Sequence, residues 1–347
     1  MCCLDKRLCR GEATCHDELT DGMMTSRNPD VCHVGVLRVN MSWALLSGTG
    51  VIKGSSMDMQ TETLGPRLLP GEIGTDVEVF AIGDVHGQAN VLKAILGQIA
   101  EAPKYTGIRR VLVFLGDLID RGPDSIGAVT AAMAAGAVTK ADHVVMLPGN
   151  HELDLVDVLD GKDQALWLQN GGRAVMNEVD PDWRSRSWDS VLPGLMAAFP
   201  ADWIAGIRLA PSHVTMGDLL FVHAGIDPHA DRAAFLARDR PVGDMHWATI
   251  RNEFLTWTDG WDQDEAGAPM RGPTIVVHGH TPAIRTSLSE SVAELKQMDG
   301  IDGYRTICLD AGATSRPQVG WARFWVEGDR SMAEIKATFA SVSPVPL

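Results

Sequence analysis

The stretch Val79–Leu96, VFAIGDVHGQANVLKAIL, changes character at one point. Val79 to Ile82 is an unbroken apolar run. Gly83, Asp84, His86 and Gly87 interrupt it, and apolar residues return at Val91, Leu92, Ile95 and Leu96 with the spacing of a helix face. The order predicted here is strand, polar turn, helix, with a carboxylate and an imidazole two residues apart at the carboxyl end of the strand. Continuous rather than alternating apolarity belongs to a strand covered on both faces.

The same design recurs along the chain. RRVLVFL (109–115) leads to Gly116, Asp117, Asp120, Arg121 and Gly122; HVVMLP (143–148) leads to Gly149, Asn150, His151 and Glu152. DLLFVHA (218–224) carries His223, and PTIVVHG (273–279) leads through His278 and Gly279 to His280 and Thr281. Helix-like segments, NVLKAILGQIA and SIGAVTAAMAAGAV, separate the first three runs, which is the pattern of βαβ units. TICLDAGA (306–313) and GWARFWVEG (320–328) read as closing strands.

Taken singly, each polar strand end has an ordinary explanation. Asp and His are common turn residues, Asp120 beside Arg121 makes a local ion pair, Asn150 caps a helix, and an isolated His223 is a core histidine. Five such ends in succession are another matter, because the carboxyl ends of strands in an open α/β fold converge on one crevice. Oxygen and imidazole donors without cysteine suit Mn²⁺, Fe or Zn²⁺. Three carboxylate or amide oxygens and three imidazoles exceed what one catalytic ion with an open position uses, so two divalent ions sharing a carboxylate are expected. The glycines at the strand ends allow sharp turns and close approach.

Composition bounds the rest. The chain has 347 residues, is 45% hydrophobic and carries a formal net charge of -15, enough apolar content for a packed core. The negative charge disfavours a nucleic-acid partner. No apolar run approaches the roughly 20 residues of a membrane span, no secretory signal pattern opens the sequence, and a cytoplasmic setting is expected. Five of the six cysteines, Cys2, Cys3, Cys9, Cys15 and Cys32, lie near the N-terminus and only Cys308 in the remainder, which is not a disulfide framework for the main domain. His16 and His33 lie among them, but the paired CxxC spacing of a zinc ribbon is missing. Residues 1–75 lack sustained periodicity and read as an unstructured leader, or as sequence preceding a true start at Met57 or Met59. Residues 76–347 are then the catalytic domain, with a helical cap-like insertion at about 152–210 whose Trp167, Trp183, Trp188 and Trp203 read as packing residues.

GDVHG, GDLIDRG, GNHE and HGHTP, in this order, resemble the successive signatures of the calcineurin-like metallophosphoesterases, in particular the phosphoprotein phosphatase branch with its bacterial relatives. The resemblance implies two packed mixed β-sheets flanked by helices. It also implies a site in which Asp84 and His86 bind one metal, Asp117 bridges, and Asn150, His223 and His280 complete the second. His151 would be the general acid oriented by Asp120, and Arg121 a phosphate contact alongside Asn150 and His151. Arg251 fits a second phosphate arginine better than Arg271, and His278 has no assigned role. The implied reaction is direct hydrolysis of phosphomonoesters by a hydroxide between two divalent ions, with Mn²⁺ the first expectation. Phosphoserine and phosphothreonine in proteins are the first substrates; a symmetrical dinucleoside tetraphosphate hydrolase and a non-catalytic metal-dependent binding protein are the alternatives. Pro282, after the Gly279-His280-Thr281 element, stands where many nucleases of the superfamily have a further histidine, which favours the phosphatase and tetraphosphatase branch. Pro148 before GNHE, and the lack of a C-terminal SAPNYC element, set the chain apart from eukaryotic catalytic subunits.

Overall fold

Alternate residues of β2 (Val77–Ile82) face different neighbours, and this builds the architecture. Val79 and Ala81 join an apolar cluster with Leu219, Phe221, Ile275, Val277 and Ile307, whereas Phe80 and Ile82 pack with Leu92, Ile95, Val129 and Ala132. One face of the strand therefore meets a second sheet and the other meets helices, as its unbroken apolar sequence requires. The computed structural model describes residues 58–239, 243, 245–261 and 274–341.

The first sheet has the order β1-β11-β10-β2-β3-β4 and the second β5-β6-β7-β9-β8. The first comprises β1 (Met59–Leu68), β2, β3 (Arg109–Phe114), β4 (His143–Met146), β10 (Gln318–Glu327) and β11 (Arg330–Ala340). The second comprises β5 (His213–Met216), β6 (Leu219–Val222), β7 (Ile275–His278), β8 (Asp299–Gly300) and β9 (Thr306–Cys308). Strands β2, β3 and β4 run parallel, as do β6, β7 and β9. The polar segments after β2, β3, β4, β6 and β7 are thus delivered to one region.

Helices α1 (Ala89–Glu101) and α2 (Ser125–Thr139) cover the outer face of the first sheet. Then α3 (Asn150–Leu159), α4 (Ala165–Trp167), α5 (Arg173–Val179), α6 (Trp188–Ala198) and α7 (Ala201–Leu209) follow one another between β4 and β5. Trp167 and Trp203 are buried among them, and Trp183 and Trp188 pack partly buried on the same cluster. Phe235 of α8 (Arg232–Leu236) and Phe254 of α9 (Asn252–Leu255) cover the outer face of the second sheet against Leu220, Val222 and Val276. Among the described residues, no single helix is long and apolar enough to cross a membrane.

One boundary requires correction. The expected leader, 1–75, includes Met59–Leu68, which forms β1 and pairs antiparallel with β11 from Met59↔Ala340 to Leu68↔Met332. Leu69 and Ile73, just beyond it, are buried in the core. The fold therefore begins before residue 76. Residues 1–57 with their five cysteines, and Arg271, lie outside the described residues.

Candidate metal centre

The site is built from backbone that L-amino acids rarely adopt. His86, Asp117, Asp120, Arg121 and His280 all have φ between 44° and 70°, and only Lys140 and Arg305 share that feature among the other described non-glycine residues. Left-handed backbone outside glycine persists where the surroundings enforce it. Here the enforcement is visible: the Val85 and His86 N–H groups both donate to the Asp117 carbonyl, at 3.0 and 2.9 Å. At Gly116, φ +99°, an added Cβ would collide with the Gly149 backbone, so the β3 and β4 turns lie against one another.

Asp117 is the hub. Its Oδ2 lies 3.6 Å from His86 Nε2, 3.9 Å from His151 Nε2 and 3.4 Å from His223 Nε2. Two groups of donor atoms share it: His86, Asp117 and His151, and Asp117, His223 and His280, each with its donor atoms within 4.8 Å of one another. The far side of each ring explains its orientation. His86 Nδ1–H donates to the Ile119 carbonyl at 2.9 Å and His223 Nδ1–H to the Leu115 carbonyl at 2.8 Å, a tautomer that leaves each Nε2 a lone pair directed inward. His151 Nδ1 instead meets Asp120 Oδ2 at 2.7 Å. Asp84 accepts from the His280 backbone N–H at 3.0 Å through both oxygens, and its Oδ2 lies 3.9 Å from His86 Nε2.

Burial sets the electrostatics. It pushes Asp84 well up, helped by the neighbouring Asp310 and Asp117, and depresses the His86 imidazolium to about 3. Burial alone would also raise Asp117, but His223, His151 and His86 hold it well below the usual carboxylate range. Against the same penalty, Asp117 and Asp120 raise His151 to about 8. Burial drives His280 well down. His86 and His280 are thereby held as neutral imidazoles beside an ionised Asp117, the states that metal binding needs, whereas Asp117 raises His223 against the penalty of its burial.

Direct evidence of fit comes from atoms left without a protein partner. Asn150 Oδ1, His223 Nε2 and His280 Nε2 are buried and accept no hydrogen bond. Such atoms are rare in folded proteins, and all three belong to residues expected to bind metal. Divalent ions fit this donor set.

Arg121 is exposed, and its Nε–H donates to the Asn170 carbonyl at 2.9 Å. Arg251 lies beside the His280 turn, donating to Thr281 Oγ1 at 2.6 Å. His278 stays outside the donor groups; it is buried, with its ring edge-on to Phe254 at 4.8 Å. Two residues have site roles that the sequence did not assign to them. Glu152 accepts the backbone N–H groups of Asp117, Leu118 and Gly149, each at 2.8 Å, and so fixes the β3 and β4 turns together. Asp310, at the end of β9, is buried near Asp84, is raised to about 6 by that burial and has an Oδ2 without a partner. The strand-end rule that found the others, applied to LDAGA, points to it.

The family model of the calcineurin-like phosphoesterases matches residues 77–306. The chain belongs to this family. The match includes every residue from Asp84 to His280 described above. Among curated relatives of this phosphoesterase, serine/threonine-protein phosphatase 1 of Salmonella typhimurium is 35% identical over 27% of this chain and 38% of its own length. Symmetrical bis(5'-nucleosyl)-tetraphosphatases align over longer segments. The Aeromonas salmonicida protein is 28% identical over 54% of this chain and 60% of its own length. The Acidovorax sp. protein is 31% identical over 43% and 44%. The chain thus spans less than two thirds of the length of each of these relatives.

Proposed function

We propose that this phosphoesterase is a metal-dependent phosphatase releasing phosphate from phosphomonoesters, with phosphoserine and phosphothreonine in proteins as its first substrates. The observation that carries the proposal is the pairing of two opposite features across Asp117: inward imidazoles for cations, and a His151–Asp120 pair able to hold a proton. Asp84, His86 and Asp117 would hold one ion, and Asp117, Asn150, His223 and His280 a second, with Mn²⁺ favoured among borderline and hard ions. When bound, such ions supply Lewis-acid charge to phosphate oxygens and acidify water.

The chain's own residues do the remainder. Arg121 and Arg251 would neutralise charge on phosphoryl oxygens. His151, held at Nδ1 by Asp120 and raised to about 8, retains its proton near neutral pH and presents Nε2 to the leaving oxygen. Asp120 keeps that ring in one orientation. Glu152 keeps the Asp117 and Gly149 turns from drifting apart.

A second reading has one observation in its favour: the tetraphosphatase alignments cover about half of this chain, against 27% for the protein phosphatase. The same machinery acting on a phosphoanhydride would accommodate it. The deciding experiment measures phosphate release from phosphoserine and phosphothreonine peptides, with and without Mn²⁺, for the wild type and His151→Asn, beside diadenosine tetraphosphate. Metal-dependent peptide hydrolysis that collapses in the variant is expected. A large preference for the dinucleotide transfers the assignment to the second reading, and turnover of neither substrate removes both.

A further inference from the structure

Trp167 reads from sequence as a packing residue, and its ring is indeed buried. Its polar edge does something else. The indole Nε1–H donates to Asp120 at 3.0 Å from Oδ2 and 3.2 Å from Oδ1. Asp120 Oδ2 is the atom that meets His151 Nδ1 at 2.7 Å. A single chain of contacts therefore runs from the helical insertion through Asp120 to His151.

The turn that follows Trp167, Leu168–Gly172, holds the next residue as well. Arg121 N–H donates to the Gly171 carbonyl at 3.3 Å, and Arg121 Nε–H to the Asn170 carbonyl at 2.9 Å. Gly171 has φ +140°, and an added Cβ there would lie 2.5 Å from Arg121 Cγ. A Cβ at Gly172 would run into the Trp167 indole. The turn is shaped to pass between these two side chains.

We propose that Trp167 is a positioning residue for leaving-group protonation, locking the Asp120 carboxylate so that His151 keeps one orientation. The inference rests on the phosphatase reading above. In the step concerned, a water oxygen forms the new P–O bond and its proton passes to solvent. The ester P–O bond breaks with its electron pair going to the departing oxygen, which takes the Nε2 proton of His151. Neutral imidazole remains, with Nδ1–H on Asp120. Without the indole donor, a buried carboxylate bound by His151 alone can rotate, and the imidazole loses its fixed orientation.

Two leaving groups separate this role from a structural one. p-Nitrophenolate departs without a proton, whereas a serine alkoxide needs one. In the full chain with Mn²⁺, Trp167→Phe is expected to lower kcat for a phosphoserine peptide about 10- to 100-fold, the scale of one hydrogen bond to a charged group. KM should stay within about twofold, and p-nitrophenyl phosphate turnover within about threefold. The defect should vanish in an Asp120→Asn background, because the two side chains act through one link. Equal losses on both substrates, or losses that simply add to those of Asp120→Asn, overturn the proposal.

A second measurement does not depend on the tryptophan variant folding or on turnover. The indole N–H resonance of Trp167 in the wild type should move when Asp120 becomes Asn. An unmoved resonance overturns the proposal, while a moved one in a protein that hydrolyses neither ester supports the link and places the failure in the phosphatase reading.

Discussion

Adding Mn²⁺ to metal-stripped protein should raise its melting temperature strongly, by an amount that can be bounded in two ways. The three buried acceptors, Asn150 Oδ1, His223 Nε2 and His280 Nε2, lack protein partners, and each costs about 1–3 kcal/mol when unsatisfied, so their relief is worth about 3–9 kcal/mol together. Mass action gives a similar scale: an ion at about 1,000 times its Kd stabilises by about 4 kcal/mol, and two ions by about 8. For a domain of this size, each kcal/mol moves the melting point by about 2 °C. A rise of about 6–18 °C is therefore expected by calorimetry, comparing millimolar Mn²⁺ with EDTA. In Asp117→Asn, which removes the charge shared by both donor groups, the rise should shrink to about 2 °C or less. Each shift is measured within one protein, so changes in metal-free stability cancel. An undiminished shift in Asp117→Asn, or none in the wild type, would refute the argument that these atoms form the metal centre.

Three further outcomes follow from the rest of the molecule. Burial depresses His278 from 6.5 to about 4, so its contribution is complete above 6.5 and is lost as the pH falls toward 4. Wild-type stability should therefore drop by about 3 kcal/mol relative to His278→Gln over that interval, and parallel urea-denaturation curves at the two pH values would contradict it. Arg110 is buried, binds Glu78 and donates to the carbonyls of Ile99, Thr139, Ala102 and Pro103 at the ends of α1 and α2. Arg110→Met should cost about 3–5 kcal/mol in urea unfolding, and a loss below about 1 kcal/mol would show those carbonyls to be satisfied otherwise. Deletion through residue 76 strips β1, Leu69 and Ile73 from the core and should cost at least about 3–6 kcal/mol.

The strand ends were legible because their information is local. A continuous apolar run, a glycine and a donor residue lie within a few positions in VFAIGDVH and its counterparts. Strand β1 was not legible for the opposite reason. Its apolar positions are sparse, its burial alternates irregularly, and its register is set by β11, some 270 residues away. No window of sequence contains that pairing. Trp167 shows a different limit: sequence identified a buried aromatic, but the direction of its N–H depends on how the insertion folds back over Asp120. Glu152 was visible as part of GNHE, yet its three backbone donors come from two separate turns.

The left-handed residues explain why so much of the site resides in backbone. Each such conformation costs about 1–2 kcal/mol outside glycine, so His86, Asp117, Asp120, Arg121 and His280 together store about 5–10 kcal/mol. Chains that relaxed those turns would recover that energy and scatter the donors. The relaxation is opposed by contacts that cross from one turn to another: Asp117 carbonyl to Val85 and His86, Glu152 to the Asp117 and Leu118 N–H groups, and Asp84 to the His280 N–H. Every one of these links joins the end of one strand to a residue beyond the end of another. The first two links tie the turns after β2, β3 and β4 within the first sheet, and the third ties them to the turn after β7 in the second, so the donors are held in register by the same sheets that form the core.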